Sequence, residues 1–429
     1  MALSPLFSHI MIVFKYIWYY FFWLIVKLGL FFYFKKIKIS GLENVPKNVP
    51  VIFGANHENA FMDALIITTR LDRLSYYLVR ADVFKNAFVK TLFSWFNMLP
   101  VYRIRDGFGS IKGNEQIFQS CHNALAKGRA LIMFPEGKHD IRRVPRKLTK
   151  GISRIALGAA NSENTIKELY VVPVGLNYTD HTDFRSSVHI VFGEAIKVKK
   201  TTQDALVLDS LRNEINEGLI NCTIGLQEAH YESLDTLVFK TENGYDLSDP
   251  KPINTNADNL LKCYLAKNND GLDLAIEEFN EALENLGVSN WKSVKDLNTS
   301  YAFIRLLVLF PVYLFGLVHN LIPIILIESL VALKVKDEIF TASIKFSVGL
   351  FLFPLFWFLE AAYFNTYNPS IYLYVIYLCS LPVSLLAVNY YHKTVKLYWG
   401  KRKLDRNPEI AASLKRCLDY IDRFKAQCS

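Results

Sequence analysis

The chain has 429 residues, 51% of them hydrophobic and 14% aromatic, with a formal net charge of +9. No stripe of Arg and Lys interleaved with aromatics is present, so nucleic acid is not the partner that the charge implies; anionic lipid surfaces and phosphorylated or CoA-linked substrates fit it better. The charged residues gather between 35 and 300 and again after 392, which leaves two nearly uncharged ends around a water-facing middle and excludes an ordinary soluble enzyme.

Residues 6–34 are almost all apolar, broken by His9, Lys15 and Lys27. The stretch lacks the short core and small-residue cleavage site of a secretory signal, so a retained anchor is expected. As one helix it would be roughly 40 Å long, enough to span with tilt or to lie obliquely in one leaflet. Lys35, Lys36 and Lys38 follow it, which places the next segment in the cytoplasm by the positive-inside rule. Residues 37–230 alternate short apolar runs with helical patterns, an α/β arrangement with a mixed sheet and flanking helices. Strands are expected at Val51–Gly54, Ala130–Phe134, Tyr170–Leu176 and Val188–Phe192, and helices at Ala64–Arg73, Ile111–Ala126 and Gly151–Ala160. Residues 231–300 read as a polar, mainly helical connector with an amphipathic stretch at Leu272–Leu286.

Beyond 301 the chain is hydrophobic again. Phe346–Phe364 and Ile371–Tyr391 are long enough to form a transmembrane hairpin, closed by an uncharged turn over Asn365–Ser370. Phe303–Leu333 is interrupted at His319-Asn320 and at Pro323, which predicts a re-entrant or shallow helical pair. Lys334, Lys336 and Lys345 would then lie on the same side as the basic tail at 393–429, so this segment crosses twice or not at all. The domain plan is therefore an anchor at 1–36, a catalytic domain at 37–230, a connector at 231–300, membrane helices at 301–392 and a cytoplasmic tail. The six cysteines (Cys121, Cys222, Cys263, Cys379, Cys417 and Cys428) show no C-x-x-C pair, so neither a zinc site nor a disulfide framework is expected, and a reducing compartment is the default.

Four segments carry chemistry. Directly after the first apolar strand comes Asn56-His57-Glu58-Asn59-Ala60-Phe61-Met62-Asp63. On one helix His57 and Asp63 would point about 120° apart. With His57 in the loop and Asp63 on the following first turn, the carboxylate can reach the ring, fix its tautomer and support an imidazolium, as a general base requires. One His near one Asp is more often a core or capping feature, so the pair gains weight only beside the other segments. Leu99-Pro100-Val101-Tyr102-Arg103-Ile104-Arg105 places two arginines at period two. Phe134-Pro135-Glu136-Gly137 ends a strand and is followed by Lys138, His139 and the basic run Arg142, Arg143, Arg146, Lys147 and Lys150. Cations of this kind suit phosphate, although the plainer reading of most of these arginines is a solvated loop. Val171-Val172-Pro173-Val174-Gly175 is a buried strand whose proline marks an edge or a bend.

In this order the four segments resemble the phospholipid/glycerol acyltransferase superfamily (PlsC-like), over roughly residues 40–230. The resemblance implies that His57 is the base on the acceptor hydroxyl and that Asp63 orients it. It implies that Arg103, with Arg105 second, holds an acceptor phosphate, and that Glu136 and Gly137 belong to the acceptor site. Lys138 and Lys150 add charge there, Lys150 with Gly151 and Arg154 resembling a Lys-Gly-x-x-Arg stretch, and Pro173 lies on the acyl-donor side. Five residues separate His57 and Asp63 where four are commonest; the longer form resembles fungal glycerol-3-phosphate and dihydroxyacetone-phosphate acyltransferases, which also carry an Asn where Asn59 stands. Lys138-His139 replaces the usual Thr-Arg, which removes bidentate geometry and puts the acceptor's identity in doubt.

The function implied is transfer of a fatty acyl group from a thioester, acyl-CoA or acyl-carrier protein, to the hydroxyl of glycerol 3-phosphate or lysophosphatidate at a lipid membrane. It needs no metal, no cofactor and no covalent intermediate, and no G-x-S-x-G elbow for a nucleophilic serine is present. The rival readings are an acyltransferase for a non-glycerol acceptor such as an N-acyl amino acid lipid, and an inactive lipid-binding scaffold.

Overall fold

The structure, a computed structural model, describes residues 5–84, 86–101, 109–162, 166–242, 244–266, 270–367 and 369–428. The chain divides into two units, Met1–His181 with Ser186–Ile224, and Thr182–Arg185 with Gly225–Ser429.

The first unit opens with helix α1 (Pro5–Tyr33), followed by β1 (Lys36–Ser40), β2 (Val51–Ala55), α2 (Ala60–Thr68), β3 (Ser75–Arg80), α3 (Ala87–Trp95), β4 (Met98–Val101), α4 (Gly109–Ala126), β5 (Ala130–Met133), α5 (Gly151–Asn161), β6 (Tyr170–Tyr178), β7 (Ser187–Phe192), β8 (Ile196–Lys197) and α6 (Ala205–Cys222). The strands form one sheet in the order β1-β7-β6-β2-β5-β3-β4, with β8 also paired to β6. All pairings are parallel except β6–β7 and β6–β8. The class is thus mixed α/β with a parallel-dominated sheet. The apolar runs of β2, β5 and β6 are buried on both faces, as parallel strands under helices require. On one face Ile52, Leu131, Met133 and Val171 pack with Cys121 and Leu125 of α4, Ile152 and Ile155 of α5, and Ile215 of α6. Gly54 lets α5 approach β2: a Cβ there would stand 2.7 Å from the Ile152 side chain.

Pro173 sits mid-strand and does not end the sheet. Its carbonyl accepts from Gly193 N–H at 2.9 Å, so its nitrogen faces the same outer side, between the β8 pairing at Val171 and the β7 pairing that starts at Val174. The missing N–H falls where the neighbouring strand changes, and no ladder bond is lost. The strands outside the expected set include β1, hidden in a lysine-rich segment, β3, which carries Tyr76 and Tyr77 beside Arg80, and the two-residue β8.

Along α1 one face is occupied by its own unit. Trp23 Nε1 donates to Thr68 O at 3.2 Å, Ser75 N donates to the Tyr19 hydroxyl, and Arg129 binds the Tyr16 hydroxyl. The opposite face, Ile17, Phe21, Leu24, Leu28 and Phe31, is exposed at helical spacing. Such a helix offers one apolar stripe to lipid, with its other side held by protein.

The second unit is helical: α7 (Tyr231–Asp235), α8 (Pro250–Leu265), α9 (Asp270–Leu286), α10 (Lys292–Lys295), α11 (Thr299–Lys334), α12 (Thr341–Tyr367), α13 (Ile371–Arg406) and α14 (Pro408–Ala426). Helices α1, α11, α12 and α13 are each long and apolar enough to cross a membrane. The break expected at His319-Asn320 and Pro323 is absent, because α11 is one 36-residue helix with Pro311 and Pro323 inside it. Its neighbours hold it together there. Asn320 is fully buried; its amide donates to Gly316 O and Ser384 Oγ and accepts from Trp357 Nε1 at 2.9 Å, joining α11, α13 and α12. The pairs Phe303–Tyr398, Tyr313–Tyr391 and Asn320–Ser384 show that α11 and α13 run antiparallel. A second correction concerns the cysteines. Cys263 and Cys428 are joined by a disulfide across 165 residues, a pairing made by the fold and invisible in the spacing.

Candidate active site

The chain leaves β2 toward β3 and leaves the adjacent β5 toward β6, in opposite directions across the sheet. Open α/β sheets place binding crevices at the carboxyl ends of such strand pairs. The loop after β2 carries His57, and the loop after β5 carries Glu136.

Helix α2 begins at Ala60, four residues before the expected start, which puts Asp63 in its first turn. Ala60 itself has φ +43, a left-handed conformation that costs a non-glycine residue energy and that lets the loop fold back onto the helix. Asp63 is fully buried and receives four hydrogen bonds. One carboxylate oxygen accepts from His57 Nδ1 at 2.8 Å, Glu58 N at 3.0 Å and Asn59 N at 2.9 Å. The other accepts from the Tyr178 hydroxyl at 2.5 Å. Burial, and then the Asp63 charge, hold the Tyr178 hydroxyl well above its usual range, so it stays protonated and donates. With Nδ1–H committed to Asp63, the lone pair of His57 lies on Nε2, which has no hydrogen-bond partner among the described residues. The ring stacks on Phe134 at 4.1 Å, and its side chain is 19% exposed, enough for a substrate to reach.

Glu136 is tied inward. Its carboxylate accepts from His57 N at 3.3 Å and from Arg146 Nη1 at 3.2 Å, so it clamps the backbone of the histidine loop. Burial pushes the Glu136 carboxyl up to about 7; Arg146 opposes the shift, while the Glu58 and Asp63 charges add to it. Gly137, at φ +70, makes the turn that frees the basic loop. Lys138 is exposed at the loop tip. Lys150 reaches Asp209 on α6 at 3.1 Å, and Pro173 lies in the sheet core against Gly218 of α6, so neither side chain joins the His57 group. Arg103 and Arg105 fall outside the described residues.

Several side chains at the site were given no role from sequence, and Arg143 and Arg146 are not the solvated loop residues expected. Beyond the pairing of Ala55 with Val174, β6 runs on four residues, and this overhang carries Tyr178 over the histidine loop. The period-two pattern Val174, Leu176, Tyr178 marks it as inward-facing, but only the strand register shows where it ends. Glu58 pairs with His181 at 2.8 Å and accepts from Asn56, whose own amide oxygen receives Leu176 N. Arg143 and Arg146 belong to the built structure of the loop. Arg143 is buried and binds Tyr178 O, while Arg146 binds Glu136 and the carbonyls of Lys138 and Asp140.

Residues 36–177 match the family model described as Acyltransferase. That segment is thus an acyltransferase-type domain, and the His57–Asp63 pair stands within it. Over 85 residues the sequence is 35% identical to Glycerol-3-phosphate O-acyltransferase 2 of Saccharomyces cerevisiae, a match that covers 20% of this chain and 11% of that relative. Among solved structures, the 1-acyl-sn-glycerophosphate (LPA) acyltransferase PlsC of Thermotoga maritima aligns at 21% identity and a TM-score of 0.34, covering 46% of this chain and 76% of that one.

Two outcomes follow from this geometry. Tyr178→Phe removes the hydroxyl that holds Asp63 and should lower kcat roughly tenfold, the value of one hydrogen bond to a charged acceptor, with both substrate KM values unchanged. Steady-state kinetics check this, and an unaltered kcat would remove Tyr178 from the positioning of the pair. Glu136 binds its proton more tightly folded than unfolded, so its contribution makes stability fall as pH rises from about 4.5 through about 7. Glu136→Gln should remove that part of the slope, at most roughly 3 kcal/mol. Denaturation at pH 5 and pH 8 measures it, and equal slopes for both proteins would contradict the assignment.

Proposed function

We propose that this chain is a membrane-associated acyltransferase that esterifies the hydroxyl of glycerol 3-phosphate or 1-acylglycerol 3-phosphate with a fatty acyl group from a thioester. The observation that carries the reading is the 2.8 Å contact of His57 Nδ1 with a buried Asp63, which leaves Nε2 as the open base. His57 takes the acceptor's proton as its oxygen attacks the thioester carbonyl, the thiolate leaves, and Asp63 stabilises the imidazolium. General-base assistance of this kind is worth roughly 10²–10⁴ in rate. Arg103, with Arg105 two residues on and Lys138 after the Pro-Glu-Gly turn in support, is the proposed anchor of the acceptor phosphate, because guanidinium matches phosphate oxygens in pairs.

The test is an acyl-transfer assay on the purified chain with each donor, acyl-CoA and acyl-carrier protein, against each acceptor. Product is expected with a glycerol-phosphate acceptor and not with an N-acyl amino acid, and Arg103→Ala should raise the acceptor KM far more than the donor KM. Transfer to phosphate-free acceptors alone, or no transfer at all, would overturn the reading.

For orientation, we propose that the catalytic domain faces the cytoplasm. Lys35, Lys36 and Lys38 after α1, and Lys393, Lys396, Lys401, Arg402 and Lys403 in the later part of α13, support this placement. The continuity of α11 removes the two-crossing option for that segment, and antiparallel α11 and α13 bring Phe303 and Tyr398 to the same end of the pair. The Cys263–Cys428 disulfide pulls the other way, since such bonds are rare in reducing compartments. On a cysteine-free background, Lys38→Cys and Lys403→Cys in intact cells should both resist a membrane-impermeant maleimide. Labelling of either from outside would reverse the orientation.

A further inference from the structure

In the helical unit, Tyr301, Ile304, Arg305, Val308 and Leu309 lie on one face of α11 and, with Tyr390 of α13, line an open cleft of about 470 Å³. The cleft is amphipathic by construction. Its floor is aliphatic, with Ile304 and Val308 exposed at 57% and 70%. At its other end the Arg305 guanidinium sits 4.4 Å over the Tyr301 ring and donates through Nη1 to the Tyr390 hydroxyl at 2.5 Å.

Two other basic side chains on these helices have an acidic partner. His319 faces Glu360 at 3.4 Å, and Lys345 faces Glu328 at 2.7 Å, so each has a counter-charge within the unit. Among the described residues no carboxylate pairs with Arg305. The guanidinium also hydrogen-bonds the Tyr301 side chain, so what it can offer a ligand is the donors beyond its two tyrosine partners, beside the hydroxyl proton of Tyr390. Arg305 lies in the second turn of α11, whose start is capped by Asn298 Oδ1 accepting from Tyr301 N. Tyrosines and an arginine at the end of a helix of this hydrophobicity belong at headgroup depth, with the aliphatic floor pointing into the hydrocarbon.

We propose that this cleft is a binding site for one phospholipid with an anionic phosphate headgroup: the phosphate on Arg305 between the two tyrosines, an acyl chain along Ile304, Val308 and Leu309. A bare arginine anchor would need the charge alone. A lipid site needs the charge and the cleft together, and the two can be separated.

The experiment uses the full chain carrying His57→Ala, so that no turnover is read, and phosphatidylglycerol as probe, since it is neither acceptor nor product of the proposed reaction. The detergent-solubilised protein is equilibrated with equal amounts of phosphatidylglycerol and phosphatidylcholine of matched chains, and retained lipid is counted by native mass spectrometry. The parent should retain phosphatidylglycerol in preference. Arg305→Ala, which removes the charge, and Val308→Trp, which fills the cleft, should each weaken that preference about tenfold. Leu309→Trp replaces Val308→Trp if the latter melts at lower temperature than the parent. The proposal is overturned by no preference in the parent, by a preference that survives Arg305→Ala, or by loss in Arg305→Ala with retention in the filled-cleft variant, which would mean an interfacial anchor. Displacement of the lipid by millimolar inorganic phosphate would likewise overturn it, by identifying a free-anion site. Acyl transfer by the unaltered chain is measured separately, so either claim can fail without the other.

Discussion

Asp63 is a fully buried carboxylate, and the arrangement around it constrains the rest of the catalytic domain. A carboxylate out of water is costly unless every lone pair finds a donor. Here the donors come from three places: two backbone N–H groups of the preceding loop, the His57 ring, and the Tyr178 hydroxyl from a strand 115 residues away in sequence. Burial, loop conformation and histidine tautomer are therefore one problem with one solution. The left-handed Ala60 is part of it, because a helix that began in the usual way would aim Asp63 elsewhere.

The same loop is fastened from the other side. Glu136 binds the His57 backbone N–H, and Asp140 N donates to His57 O, so the segments after β2 and β5 are sewn together at the end of two parallel neighbours. Arg146 completes the clamp by satisfying Glu136. The charges of the Pro-Glu-Gly loop are thus partly spent on holding the histidine. The helical unit follows the same rule in an apolar setting: Asn320 is its hub, and three helices meet on one amide.

Much of this was legible in the sequence, and the failures have physical causes. His57 and Asp63 could be paired from their spacing because both lie within one loop and one helix turn. Four strands were readable as apolar runs because parallel strands are buried on both faces. Tyr178, His181 and Arg143 were not readable, since their roles depend on how far β6 outruns β2, and register is a tertiary property. Pro323 misled because a proline breaks an isolated helix, whereas here packing from α12 and α13 sustains α11 through it. Cys263 and Cys428 carry no local signature, as their contact spans 165 residues.

The claim on which all of this rests is that His57 is the base and Asp63 its support. It is tested most directly by single-turnover acyl transfer from a radiolabelled acyl thioester to a glycerol-phosphate hydroxyl, comparing the unaltered chain with His57→Ala and Asp63→Asn. Both variants should retain the acyl donor while the transfer step slows by roughly 10²-fold or more. Transfer at an undiminished rate in a folded His57→Ala protein would contradict the account.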